Sequence, residues 1–116
     1  MKTTKYTGYF TYEKQSQLEN FLKHTAHNVI KRDNEIVVEW DGDEGLCVTT
    51  LAISPDGKCT GTSAYTSAKW GNSTASVEAA IYTNKFGYVI IGKENWPDEP
   101  DCFVLQLTNP QAIADE

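Results

Sequence analysis

The feature that most constrains the fold is the turn sequence Ser54-Pro55-Asp56-Gly57-Lys58, which lies between two runs rich in apolar and β-branched residues. Proline fixes φ near the value that a turn needs, and glycine accepts positive φ, so this sequence reverses the chain tightly. The flanking segments, residues 46–53 and 59–66, have the composition of strands. We therefore predict an antiparallel hairpin that turns at Pro55-Asp56-Gly57.

Alternating apolar side chains predict further strands. Ile36, Val38 and Trp40 alternate with residues 35, 37 and 39, a pattern typical of a strand with one buried face, and this places Trp40 in the core. The leading turn of this strand is predicted at Asp33-Asn34. Other segments with strand patterns are residues 5–12, 77–82, 88–91 and 103–107, and another strand is predicted after a turn at Gly71-Asn72.

Between the first two strand patterns the apolar period changes. The apolar positions Leu18, Phe21, Leu22, Ala26 and Val29 fall at helical spacing. Charged residues on the other side of this segment complete the pattern of one amphipathic helix that ends near residue 28. The sequence thus predicts an α+β fold, in which one N-terminal amphipathic helix packs on a curved, mostly antiparallel sheet of six to seven strands. Residues 1–116 are predicted to form a single globular domain.

Composition excludes several classes of protein. Sixteen acidic and ten basic residues give a net charge of −6, whereas a nucleic-acid-binding surface needs excess positive charge. No apolar run approaches the length of a membrane span, and the N terminus has no apolar signal core. The predicted hairpin keeps Cys47 too far from Cys59 for a disulfide. We therefore expect three reduced thiols, including Cys102, and a cytoplasmic protein.

Half of the carboxylates lie in two segments that contain no base. We name residues 39–44 the first acidic segment and residues 94–101 the second acidic segment. Pro97 and Pro100 make the second segment irregular, and such connections place binding residues on the surface. The residues predicted to bind a partner are Asp41, Asp43, Glu44, Glu94, Trp96, Asp98, Glu99 and Asp101.

Metal, cofactor and catalytic signatures are missing from the sequence. The Asp41-x-Asp43 spacing begins like a calcium loop, but Gly45 and Ala52 occupy positions where that loop requires ligands. His24 and His27 share a predicted helix face without further zinc ligands. The chain also lacks a Gly-x-Ser-x-Gly elbow, a phosphate-binding glycine loop and a Cys-x-x-Cys pair. We therefore predict a protein that is not an enzyme and holds neither metal nor cofactor.

Two functional hypotheses remain. The first is an acidic inhibitory binding protein, of the immunity-protein or phage-inhibitor type, that presents its acidic loops to a basic protein such as a toxin or nuclease. The alternative is a small-ligand-binding or regulatory module with a pocket between sheet and helix, to which Tyr65 and Trp70 contribute. In the alternative, the chain would form a homo-oligomer through an exposed strand edge. Acid-to-amide substitutions would weaken only the first function.

Overall fold

The strands pair into one closed antiparallel barrel. The computed structural model describes residues 3–14, 22–42, 44–98 and 100–113. Each strand pairs with the strands before and after it in sequence, and β1 closes the ring by pairing with β8. The strands are β1 (Thr3–Lys14), β2 (Leu22–Arg32), β3 (Glu35–Gly42), β4 (Gly45–Ile53), β5 (Lys58–Ser67), β6 (Gly71–Asn84), β7 (Gly87–Asn95) and β8 (Pro100–Ile113).

The predicted N-terminal helix, and with it the α+β class, is wrong. β2 covers residues 22–28, the last part of the predicted helix, and Leu18 and Phe21 lie outside the described residues. Ala26 and Val29 are both buried although they lie three positions apart. The register with β3 explains this spacing, since it passes from Ala26 opposite Trp40 to Asn28 opposite Glu39. The extra residue in β2 is a β-bulge, which reverses the alternation of inward and outward side chains. Buried residues on either side of the bulge are then three positions apart, a spacing that is also typical of a helix.

The barrel contains eight strands instead of six to seven, and the strand missing from the prediction is β2. Closure of the ring leaves none of the described strands with a free edge. A pocket between a sheet and a helix, and self-association through a strand edge, are therefore not available to the described part of the chain. The described residues contain no helix long and apolar enough to cross a membrane.

The hairpin predicted at Pro55-Asp56-Gly57 is confirmed. Ile53 pairs with Cys59, and within the turn the Ser54 amide donates to the Lys58 carbonyl at 2.8 Å. Gly57 adopts a φ of 85°, which only glycine accepts without strain. The predicted turn at Asp33-Asn34 also joins two strands, β2 and β3.

Inward-facing side chains divide the barrel interior into two parts. Where β1 begins and β8 ends, the interior is apolar, with Val29, Ile36, Leu51, Ile90 and Leu107 fully buried. At the other end β3, β5 and β7 finish and β4, β6 and β8 begin. We call this the polar end, because its inward positions carry hydroxyl and carboxyl groups. Trp40 is buried here, as predicted.

Candidate functional site

Five buried polar side chains meet inside the polar end of the barrel. They are Trp40 on β3, Thr49 on β4, Ser63 on β5, Glu94 on β7 and Asp101 on β8. Each is only 0% to 4% exposed. Apolar side chains usually fill the interior of a small barrel, and a barrel of eight strands otherwise has room for one small ligand. This polar cluster is therefore the strongest candidate for a functional site in the described structure.

Hydrogen bonds link four of the five side chains in one direction. The Trp40 indole donates from Nε1 to Thr49 Oγ1 at 3.4 Å, and the Thr49 and Ser63 hydroxyl oxygens lie 2.7 Å apart. Ser63 donates to Glu94 Oε2. Because a serine hydroxyl has one proton, the Thr49 hydroxyl must donate to Ser63. The chain of donors therefore ends on the Glu94 carboxylate, and bonds aligned in this way strengthen one another.

The register explains how Ser63 reaches Glu94 across an intervening strand. Ser63 pairs with Ala75 on β6, and Glu94 pairs with Val77 on the same strand. Ala75 is buried and has a small side chain, so it leaves space between β5 and β7 on the inner face. The contact between Ser63 and Glu94 thus depends on a small residue at position 75.

Glu94 and Asp101 are register partners on neighbouring strands, and both are buried. Carboxylates directly opposite each other repel when both are ionised, and transferring each from water costs several kcal/mol. Burial, and after it the negative charges of Glu94 and Asp101, raise the pKa of the nearby Cys47 thiol to about 12. The interior of the polar end is therefore an electronegative environment. On its other side, Asp101 pairs in register with Lys14 of β1.

Two turns at this end are joined by polar contacts. Ser67 Oγ donates to the Glu44 carbonyl at 2.8 Å, and Lys69 forms an ion pair with Glu44 at 2.8 Å. The Lys69 ammonium also lies 4.8 Å from the centre of the Trp70 ring. These contacts fix the β3–β4 turn against the β5–β6 turn. Trp70 remains 61% exposed on the rim.

Both acidic segments lie at the polar end, on opposite sides of the ring of strands. Their side chains have different environments. Glu94 and Asp101 point inward and are buried, whereas Asp41, Glu44 and Asp98 are exposed. Asp43 and Glu99 lie outside the described residues. The two segments are therefore at the same end of the molecule, with the barrel interior between them.

The three aromatic candidates, Tyr65, Trp70 and Trp96, also differ in their environments. Trp96 is half-buried and packs against the core at the polar end. Tyr65 is half-buried, pairs in register with Cys47 and packs against the core as well. Tyr65 and Trp96 thus contribute aromatic surface close to the polar cluster, whereas Trp70 lies on the outer rim.

Sequence reasoning missed Cys47, Thr49 and Ser63 as site residues. The signal was present in the hairpin, because Thr49 pairs with Ser63 once the turn at Pro55-Asp56-Gly57 fixes the register. Thr49 alternates with the buried Cys47 and Leu51 on β4, so it had to face inward. All three cysteines are free, as predicted, and Cys102 is exposed.

Other candidate sites are weaker. Within the described residues, no group of three or more His, Cys, Asp or Glu side chains could hold a metal ion. A groove of about 420 Å³ lies between β1 and β8 near the apolar end, next to Tyr6 and Pro110. Comparison with protein-family models, with curated proteins and with solved structures finds no match to this chain.

Proposed function

We propose that this protein binds a small molecule inside the polar end of the barrel, and that the ligand carries a cationic hydrogen-bond donor such as an ammonium or amidinium group. The observation that carries the proposal is the chain of hydrogen bonds that ends on Glu94, with Asp101 as its register partner. This cluster makes the ligand-binding alternative the stronger one. The site lies within the barrel itself.

Energetics support a functional role for the cluster. Well-packed apolar residues in place of buried charged groups are often neutral or stabilising, by about 1–4 kcal/mol. In a barrel selected for stability alone, we would expect apolar side chains to fill the interior of the polar end as well. Ligand pockets are commonly found in the mouths of β-barrels, and they combine apolar walls with a few polar groups. Glu94, Asp101 and the hydroxyls of Thr49 and Ser63 are polar groups of that kind.

The direction of the hydrogen bonds supports a ligand that donates hydrogen bonds. The protons of Trp40, Thr49 and Ser63 are used within the chain of donors. Carboxylate oxygens accept several hydrogen bonds, so Glu94 and Asp101 favour a ligand that donates. Charge-assisted hydrogen bonds to a cation are about twice as strong as neutral ones.

The surroundings of the cluster favour the same ligand. Asp41 and Asp98 are exposed on opposite sides of the rim, and their field would raise the local concentration of a cation. Tyr65 and Trp96 offer aromatic surface for an apolar group attached to that cation. The ligand would therefore be a small amine or amidine with an aromatic or aliphatic substituent.

The positions of the acidic residues favour an acidic inhibitor less than a ligand-binding protein. Glu94 and Asp101, two of the eight residues assigned to partner binding, are buried inside the barrel where a protein surface cannot contact them. Glu44 is engaged by Lys69. The exposed acids that remain fit the steering of a small cation at least as well as contact with a basic protein.

A thermal-shift panel tests the proposal. Benzylamine, benzamidine and butylamine are compared with benzoate and butyrate, which have similar carbon frames and the opposite charge. A ligand that binds only the folded state raises the melting temperature, and the rise grows with the logarithm of its concentration above the dissociation constant. We expect stabilisation by at least one cation and by neither acid, and loss of this stabilisation in Glu94→Gln.

The matched control is Glu35→Gln, which removes an exposed carboxylate at the apolar end. This variant should keep the response of the wild type. Stabilisation by the acids, or an equal response in Glu94→Gln and wild type, would refute the proposed site.

A further inference from the structure

An apolar patch covers the outside of the β6–β7 hairpin. We call it the outer patch and define it as Ala80, Tyr82, Phe86, Val89 and Ile91. Tyr82, Phe86 and Ile91 are 57%, 65% and 49% exposed, and they make up half of the large apolar residues exposed in the described part of the chain. Large apolar side chains concentrated on one surface often mark an interaction site.

The register arranges the outer patch in matching rows. Ala80 pairs with Ile91, and Tyr82 pairs with Val89. Next to these apolar rows, Glu78 of β6 pairs with Lys93 of β7, and both are exposed. Register partners lie on the same face of a sheet, so the two apolar rows and this charged row form one continuous outer surface.

We propose that this surface binds a second copy of the same chain through a two-fold axis that runs parallel to the strands, midway between β6 and β7. Rotation about this axis places β6 of one copy over β7 of the other. Ala80 then faces the partner's Ile91, and Tyr82 faces the partner's Val89. In the charged row, Glu78 faces the partner's Lys93, and its own Lys93 faces the partner's Glu78.

This arrangement is self-complementary, as an interface with two-fold symmetry requires. Apolar side chains of the two copies contact each other in the Ala80–Ile91 and Tyr82–Val89 rows. The charged row forms two contacts between Glu78 of one copy and Lys93 of the other. A charged pair of this kind contributes mainly to the specificity and the register of association.

The charge of the surface also favours a second copy. The whole chain has a net charge of −6, which opposes self-association at most surfaces. Here Glu78 is the acid in the row, and Lys93 together with Lys85 in the β6–β7 turn supplies positive charge. Two copies can therefore approach at this face without the repulsion between acidic surfaces that opposes association elsewhere.

The size of the outer patch predicts weak association. Stable complexes bury about 800 Å² on each partner. Five side chains on one hairpin form only the centre of such an area, so we expect a dimer that depends on protein concentration. Sedimentation velocity from micromolar to millimolar concentration should show wild-type protein passing from monomer to dimer.

Ile91→Glu should abolish the dimer, because it places a charge at the centre of the interface. Ile113→Glu is the matched control, since Ile113 is also exposed but lies at the end of β8 outside the outer patch. It should dimerise as the wild type does. Circular dichroism and thermal unfolding establish that each variant is folded. Monomeric wild-type protein at all concentrations, or an Ile91→Glu variant that still dimerises, would overturn the proposal.

Charge reversal tests the symmetry itself. Glu78→Lys alone and Lys93→Glu alone each place like charges across the interface, so each variant should dimerise less than the wild type. A mixture of the two restores opposite charges in both pairs, and it should form a heterodimer. A mixture that remains as monomeric as its components would contradict the two-fold arrangement. Monomeric wild-type protein that sediments with phosphatidylglycerol vesicles would assign the outer patch to lipid and overturn the dimer.

Discussion

Ser63 on β5 donates a hydrogen bond to Glu94 on β7, across the inner face of the strand that separates them. The two residues are 31 positions apart in sequence, and both are buried. This contact connects the hydroxyl groups of β4 and β5 with the carboxylates of β7 and β8. It therefore assembles the polar cluster from strands that are not all neighbours in the barrel.

Ser63→Ala should lower the free energy of unfolding by about 1–3 kcal/mol. The buried Thr49 hydroxyl and Glu94 carboxylate each lose a hydrogen bond with the Ser63 hydroxyl in this variant. Urea denaturation measures this as a lower midpoint with an unchanged slope. Thr62→Ala is the control, since Thr62 is the exposed neighbour on the same strand. It should change stability by about 0.5 kcal/mol or less. Equal effects of the two substitutions would show that the buried hydrogen bonds contribute little.

The cysteines should react at very different rates. Cys102 is exposed, whereas Cys47 and Cys59 are buried and have a raised pKa. A thiol reacts as the thiolate, so burial and a high pKa both protect the two inner residues. Ellman's reagent at neutral pH should titrate one thiol rapidly in folded protein and three in denaturant. Cys102→Ser should remove the rapid phase, and a rapid phase that persists in this variant would contradict the positions of the inner thiols.

Alkaline pH should destabilise the fold partly through Cys47. Its pKa is about 12 in the folded protein and near 9.0 in the unfolded chain, so between these values the unfolded state loses the proton first. Stability contributed by this group is present below pH 9 and falls by up to about 1.4 kcal/mol per pH unit above it. Denaturation at a series of pH values should give a shallower decline for Cys47→Ala than for the wild type. Identical slopes would mean that Cys47 is not held neutral by its surroundings.

Gly61 should not tolerate a side chain. A Cβ at this position would overlap the Thr50 carbonyl oxygen of the neighbouring strand, so Gly61→Ala should cost about 3 kcal/mol. Gly71 adopts a φ of 85° but has open space around it. Gly71→Ala should therefore cost only the backbone strain, about 1–2 kcal/mol. Thermal unfolding that ranks Gly71→Ala as the more damaging change would contradict the close approach of β4 and β5.

Local sequence patterns predicted most strands, but they did not reveal the closed barrel. The turn at Pro55-Asp56-Gly57 depends on residues next to one another, so its chemistry could be recognised directly. β2 was missed because a bulge near His27 places Ala26 and Val29 on one face at a spacing that also suits a helix. A bulge is visible only against the partner strand, and sequence periodicity contains no information about that pairing.

The candidate site was only partly predictable. Glu94 and Asp101 were identified, but for the wrong reason, because they were assigned to surface loops. The alternation of Phe103, Leu105 and Leu107, continued backward by one step, would have placed Asp101 on the inner face. On β7 the inward-facing positions Ile90 and Gly92, continued forward by two residues, place Glu94 on the inner face as well. Pro97 and Pro100 lie between Glu94 and Asp101 and favour a loop, and this signal obscured the strand alternation on both sides.

The most direct test of the proposed binding site is a nitrogen-15 NMR titration of the wild-type protein with benzylamine, with benzoate as the matched acid. We predict amide shifts centred on Thr49, Ser63, Glu94 and Asp101, saturation with increasing benzylamine, and no comparable response to benzoate. Glu94→Gln should lose the saturable response. Shifts centred on the outer patch or on the Asp33-Asn34 turn, or the same response to benzoate, would contradict a cation site inside the polar end.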